Sequence, residues 1–357
     1  MLSGSVILTL SAAVWAALRI GPSPLPDLTG FVDRIGIWRN EDLPPIFSHV
    51  RENLPYQLIY EGLGSRGILW YLAQWIATFV IAVGLLALWY ADAAGTGRRN
   101  RGVRLALLSP VVAVFVGFIG GYDPLTVIGA VGMLWAWKFG SRPWLIAAGV
   151  FLGFQHFVQA VPMVIAAALT AWALAQNRAD FRRPTFAWAL PGLVLGKVIS
   201  MIVLLTVTGS IGGSRSEFLT EQWVRPAIIS AINFWPIFLL SMFAGAWVTV
   251  AICFVDATTR ARVALVAAFF ICLASCFFAA DHTRIFILVA LPSVALMTRW
   301  LLTRPRTSTR ELTIVEVLAW VTTPVLLWTG SDGTGYVQYL GALDQFIMFG
   351  QVVGTWN

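Results

Sequence analysis

Three titratable groups fall within four residues at Asp281-His282-Thr283-Arg284, between two apolar runs. A plain hairpin needs none of them. Arg284 opens the outgoing run, where a helix macrodipole disfavours a cation, so it requires an anionic partner, either Asp281 or a ligand phosphate. A carboxylate beside a guanidinium suits proton removal from a hydroxyl together with stabilisation of a departing phosphate. A second supply of such groups is the polar stretch 21–66, which carries Asp33-Arg34 and Glu41-Asp42 among apolar residues. Asp33 lies in an apolar stretch that can fold back over its surroundings and lose solvent. Glu41 and Asp42 precede Pro44 and Pro45 and suit an exposed tip. Each is a candidate general base, and the Glu41-Asp42 pair also suits a divalent cation, Mg or Mn, held with a diphosphate.

Other chemistry-bearing residues stand alone. Asp123 sits in a corner, after Gly120-Gly121 and before Pro124. Asp followed by Pro also suits a plain helix start. His156 interrupts the apolar run Phe154-Gln155-His156-Phe157, where a hydrogen-bonded structural histidine is equally in keeping with the pattern. Lys197 lies mid-way along an apolar run. An ammonium at a helix centre costs roughly 2.5–3.5 kcal/mol on insertion scales, which favours a polar cavity or an internal ion pair. Arg215 and Arg225 add two cations in the loop 209–226. His156, Lys197, His282, Arg284 and Arg34 are the candidates for holding a phosphate. Asp33, Glu41, Asp42 and Asp281 are the candidates for catalysis, with Asp123, Arg215 and Arg225 behind them.

The elements that must position these residues are set by composition. The 357 residues are 58% hydrophobic and 11% charged, against about 25% charged in soluble domains. Lipid is therefore the solvent, and the fold class is all-α: a polytopic transmembrane helical bundle read as a single integral membrane domain over 1–357. Apolar runs at 6–20, 67–91, 105–120, 124–137, 144–154, 161–174, 186–207, 227–254, 263–279, 285–297 and 313–328 predict about eleven membrane helices. Those at 124–137 and 144–154 are short. The first run follows no Lys or Arg, which predicts a retained helix and not a cleaved signal. The three cysteines form no CxxC pair and the three histidines no HExxH, so neither disulfide nor zinc is expected. The formal charge of +7 lies in short loops between apolar runs, so it predicts no nucleic-acid partner. No nucleotide-binding glycine loop occurs.

Basic residues orient the chain. With the N-terminus in the cytoplasm, the loops 92–104, 138–142, 176–183, 255–262 and 299–311 lie inside and hold 15 of the 24 Lys and Arg residues. Each is net basic, as the positive-inside rule requires. The stretch 21–66, with interfacial helices, the corners at 120–124 and 155–156, the loop 209–226, the turn 281–284 and the tail 330–357 then all lie outside. The chemistry-bearing residues gather on one face.

This layout resembles bacterial membrane glycosyltransferases and polysaccharide polymerases of the Wzy/EpsG type, within or near the class C (GT-C) fold. The likeness rests on an acidic segment after the first helix and on the interfacial Leu54-Pro55-Tyr56-Gln57-Leu58-Ile59-Tyr60-Glu61. A basic turn follows between short helices, Trp137-Lys138-Phe139-Gly140-Ser141-Arg142, then a histidine before a small-residue helix, Gly153-Phe154-Gln155-His156-Phe157-Val158-Gln159-Ala160, and the charged turn near Arg284. It covers roughly 27–297. The large outer loops of the polymerases are not evident. The resemblance implies a polyprenyl-phosphate- or diphosphate-linked sugar donor, a glycan or lipid acceptor, and a place in the bacterial inner membrane. Two other classes fit the same composition: a transporter or flippase for lipid or oligosaccharide, which Lys197 and the short helices suit, and a scaffold subunit without chemistry.

Overall fold

A computed structural model describes residues 4–19, 21–23, 39, 54–64, 67–95, 98–176, 185–209, 228–229, 232–277, 281–324 and 351, with the backbone of 326–329 and 335–338. Asp33, Arg34, Glu41, Asp42, Arg215 and Arg225 lie outside the described residues.

The described chain is helical apart from one short antiparallel hairpin. In order it forms α1 (Gly4–Leu18), α2 (Leu54–Gly62), α3 (Ile68–Ala94), α4 (Arg99–Leu107), α5 (Pro110–Gly117), α6 (Asp123–Lys138) and α7 (Arg142–Ala175). Then come α8 (Ala189–Thr208), α9 (Trp235–Phe243), α10 (Trp247–Asp256), α11 (Thr259–Cys276), α12 (His282–Thr303) and α13 (Thr309–Val321). The hairpin pairs β1 (Leu326–Thr329) with β2 (Gly335–Gln338). Seven helical stretches are long and apolar enough to cross a membrane: α3, α4 with α5, α7, α8 with its 3-10 lead-in, α9 with α10, α11 and α12. This is a membrane protein built of apolar helices. Side chains such as Val80, Ile81, Val194, Ile202 and Phe270 point outward and are more than half exposed, as suits helices solvated by lipid.

The axis of the bundle is α12, almost all of which is buried. At one end of it, Arg299 pairs with Asp92 at 2.8 Å and Lys138 pairs with the same carboxylate at 2.6 Å. Arg304 pairs with Asp256 at this end too. These contacts bring together the ends of α3, α6, α10 and α12, which we call the Asp92 end. The beginnings of α6 and α12 define the opposite, Asp123 end.

A straight α7 of 34 residues would be about 51 Å long, well beyond a hydrocarbon core of about 30 Å. It is not straight. His156 has φ −161° and ψ 77°, outside the helical region, and the chain folds back there. Arg142 lies over Trp188 and Trp137 stacks on Phe186, which places the start of α7 at the Asp92 end. Ala173, near its finish, packs on Ala257 and Ala261 beside Asp256, also at the Asp92 end. Gln155 reaches Tyr122 at the Asp123 end. The two arms, 142–155 and 157–175, thus form a helical hairpin with His156 at its tip. The expected corner at 155–156, between two short runs, is what the structure contains.

Two apolar runs that read as continuous are interrupted. Pro110 cannot donate a backbone hydrogen bond, and α4 gives way to α5 at Leu108-Ser109. Between α9 and α10 Ala244 takes a left-handed φ of 44°, strained for any residue but glycine. Gly245 beside it lies so close to α13 that a Cβ would stand 2.6 Å from the Ala319 Cα.

Candidate functional site

The Asp123 end carries Asp123, Asp281, Arg284 and the two buried histidines His156 and His282. Asp123 is the first residue of α6, with Pro124 next in the first turn. The N-cap residue Tyr122 makes no side-chain capping hydrogen bond, and the Asp123 carboxylate is engaged elsewhere. It turns instead to Arg284, whose Nε and Nη2 donate to the two carboxylate oxygens at 2.6 and 3.0 Å. Arg284 Nη1 donates to Asp281 Oδ2 at 2.6 Å. The anionic partner that Arg284 required is therefore Asp281, joined by a second carboxylate 161 positions away in sequence. The guanidinium also lies over the rings of Phe118, at 4.6 Å, and Tyr122, at 5.7 Å. Cation–π attraction of this kind strengthens with desolvation, and the Arg284 and Asp123 side chains are only 6% and 2% exposed. Asp281 is more open, at 15%. Of the two carboxylates, Asp123 is clamped on both oxygens, whereas Asp281 meets the guanidinium through Oδ2.

The turn that carries Asp123 is fixed by its own chemistry. Gly120 has φ 91°, a conformation open chiefly to glycine. The carbonyl of Gly120 accepts from Tyr71 Oη at 2.6 Å. Tyr71 meets Tyr56 and Tyr60 of α2 edge to face, at 5.5 and 5.6 Å between ring centroids. The interfacial segment expected before the second membrane helix is thus α2, and most of its residues are buried against the bundle. Gln74 Nε2 donates to the Tyr56 carbonyl at 3.1 Å. The side-chain oxygens of Gln57, Gln74, Thr126 and Gln159 are enclosed and have no hydrogen-bond partner among the described residues. These polar groups were invisible as a set in the sequence, where each is a single residue in an apolar run.

His156, at the hairpin tip, is fully buried and lies 6.1 Å from Tyr122, ring to ring. Tyr122 is thus near both His156 and Arg284. His282 is also fully buried, but its Nδ1 faces the Cys276 carbonyl at 2.9 Å. A carbonyl only accepts, so Nδ1 carries the hydrogen. Phe238 and Phe277 flank that ring. No hydrogen bond or ion pair joins Lys197 to the cluster among the described residues. It lies half-buried on α8, next to the exposed Val198 and one residue from Gly196, and no described carboxylate pairs with it. No group of three His, Cys, Asp or Glu suited to a metal occurs among the described residues.

No family model, no curated protein and no solved structure matches this chain.

Proposed function

We propose that this protein is a membrane glycosyltransferase, GT-C-like in plan, that takes a sugar from a polyprenyl-phosphate-linked donor on the extracytoplasmic face. The observation that carries the reading is the meeting of Asp123, Asp281, Arg284 and His156 at one end of the bundle, opposite the end that carries the basic loops. In this reading an acceptor hydroxyl oxygen bonds to the anomeric carbon as the bond from that carbon to the phosphate oxygen breaks. The hydroxyl proton goes to a carboxylate and the lipid phosphate leaves with the electron pair. Asp281 is the best-placed base among the described residues. Asp123 holds Arg284, and Arg284 orients Asp281 and offsets negative charge gathering nearby. The acidic residues Asp33, Glu41 and Asp42 remain the rival bases.

In the same reading the chain crosses a bacterial inner membrane eleven times. The seven long stretches, with α7 counted as two arms, are joined by α1, α6 and α13. The Asp92 end is cytoplasmic, as is the N-terminus, and the C-terminus is extracytoplasmic. Single cysteines tested by an impermeant thiol reagent on intact cells check the sidedness. Leu63→Cys should label from outside and Arg306→Cys only after permeabilisation; the native cysteines are buried. Labelling of both from outside would overturn the orientation.

Turnover is tested with the purified protein in proteoliposomes and radiolabelled polyprenyl-phosphate sugars. Asp281→Asn is expected to lower transfer by about 10²-fold or more, the usual share of a general base. If Asp281→Asn is near normal while Asp33→Asn, Glu41→Gln or Asp42→Asn is not, the base lies in the first loop. The interruptions at Ser109, His156 and Ala244 favour a second reading, since discontinuous helices mark transporters. Movement of labelled lipid across the bilayer with no covalent product would put that reading first.

A further inference from the structure

Where the two interrupted helices meet, they leave a half-open cavity of about 30 Å³, lined by Ser109 at the α4–α5 break and by Gly245 and Ala246 at the α9–α10 break. Thr249, Thr298 and Tyr90 add hydroxyls to its wall. We infer that this cavity binds a single monatomic anion of the chloride class. The inference does not depend on the glycosyltransferase reading.

Four observations lead there. First, the local charge is out of balance. Arg19, at the end of α1, donates from Nη1 to the carbonyls of Ala319 and Thr322 and from Nη2 to those of Leu108 and Ser109, at 3.0–3.3 Å. All four partners are neutral, and no described carboxylate meets it. Three of the residues it grips, Leu108, Ser109 and Ala319, also line the cavity. Its Nε is enclosed and has no partner among the described residues. Glu316, next to the lining residue Val315, is shared by Arg101 and Arg104. Glu316 thus answers one of the two positive charges beside it, and Arg19 has no described counter-charge. Asp92, two residues from Tyr90, is itself shared by Lys138 and Arg299. In a bundle solvated by lipid such an excess is costly unless an anion offsets it.

Second, the wall offers donors. The Ser109 and Thr249 side chains are 8% and 1% exposed, and neither hydroxyl has a described partner. The Thr78, Thr206, Thr208 and Thr303 hydroxyls instead donate to carbonyls three or four positions back in their own helices. Third, Gly245 and Ala246 begin the helical stretch that runs on through α10. The first N–H groups of a helix lack intrahelical partners and favour negative charge. Fourth, the space is small. A water needs roughly 10–15 Å³ of such space, and about 30 Å³ suits one small ion better than sulfate or a phosphate ester. A cation is disfavoured by the adjacent Arg19.

The test uses the full chain in detergent, with the thermal midpoint followed in sodium chloride, sodium bromide and sodium gluconate at equal ionic strength. Chloride and bromide should raise the midpoint saturably over gluconate, by on the order of 2–4 °C. Ser109→Ala and Thr249→Val should each raise the half-saturating chloride concentration by about tenfold, as expected for a lost hydrogen bond to an ion. Arg19→Gln should remove the halide response. If chloride and gluconate act alike on the native chain, the cavity holds water and the inference fails. If the response survives unchanged in Ser109→Ala and Thr249→Val, the ion sits elsewhere and the inference fails equally. These two variants keep the test decisive should Arg19→Gln not fold.

Discussion

Arg284→Ala should abolish transfer from a lipid-linked sugar and should also lower the thermal midpoint of the purified protein. Arg284 is 5% exposed and spends its Nε, Nη1 and Nη2 on Asp123 and Asp281. Without it, the buried Asp123 and its more open neighbour Asp281 lose their shared counter-charge. Removing one partner of a buried ion pair costs about 3–5 kcal/mol. Asp281 also loses the group that orients it, so the chemistry would be lost together with the stability. Arg284→Lys keeps the charge but not the planar fork that grips both oxygens of Asp123, and should fall between. The double variant Arg284→Ala/Asp123→Asn separates the two effects. It should regain much of the midpoint, because one buried charge is gone, and should stay inactive. Full activity in Arg284→Ala would reduce the turn at 281–284 to a structural role and remove Asp281 as the base.

The second large effect concerns the hairpin that carries His156. The arm 142–155 and α8 lie backbone against backbone, through glycine on both sides. A Cβ on Gly196 would stand 2.1 Å from the Val150 carbonyl oxygen, and one on Gly153 would stand 2.2 Å from that of Leu193. Gly149 and Gly192 face Ala189 and Ile146 at 2.2 Å in the same way. Backbone atoms cannot swing aside as a side-chain end can, so each added methyl forces the helices apart. Close backbone approach through small residues is how membrane helices gain packing where lipid offers no hydrophobic drive. Overpacking a tight core costs about 1–3 kcal/mol per site. Gly153→Ala/Gly196→Ala should therefore yield little monodisperse protein on size-exclusion chromatography in detergent, and what remains should melt well below the native chain. Gly84→Ala and Gly132→Ala, whose Cβ positions meet nothing within 4 Å, are the controls and should behave as native. An unchanged midpoint in the double variant would show that the two helices are not seated as described.

The sequence by itself determined the solvent, the element type and the places where the chain turns. Charged content of 11% beside 58% hydrophobic residues leaves lipid as the medium, and in lipid a backbone must satisfy its own hydrogen bonds, which leaves helices. The turns at Gly120-Gly121, at Gln155-His156 and at Asp281–Arg284 were legible because glycine, proline and charge interrupt apolar runs locally. The resemblance to polysaccharide polymerases rested on such local order and added no pairing. The pairing came from tertiary structure alone. Asp123 read as a helix start, and only the packing of α6 on α12 shows that its carboxylate holds Arg284 instead. Arg19 stands alone at the end of the first apolar run, and only the approach of α4 and α13 gives its guanidinium four carbonyls to hold. The breaks at Ser109 and Ala244 lie in runs that stay apolar throughout, so hydropathy passes over them. Lys197 read as a residue of a polar cavity or of an internal ion pair, and only the structure shows it half-buried on α8 with no described carboxylate paired to it. Hydropathy and turn chemistry act between residues a few positions apart. Which helix faces which, and hence which charges meet, is decided by shape complementarity between distant segments, which a single apolar run does not encode.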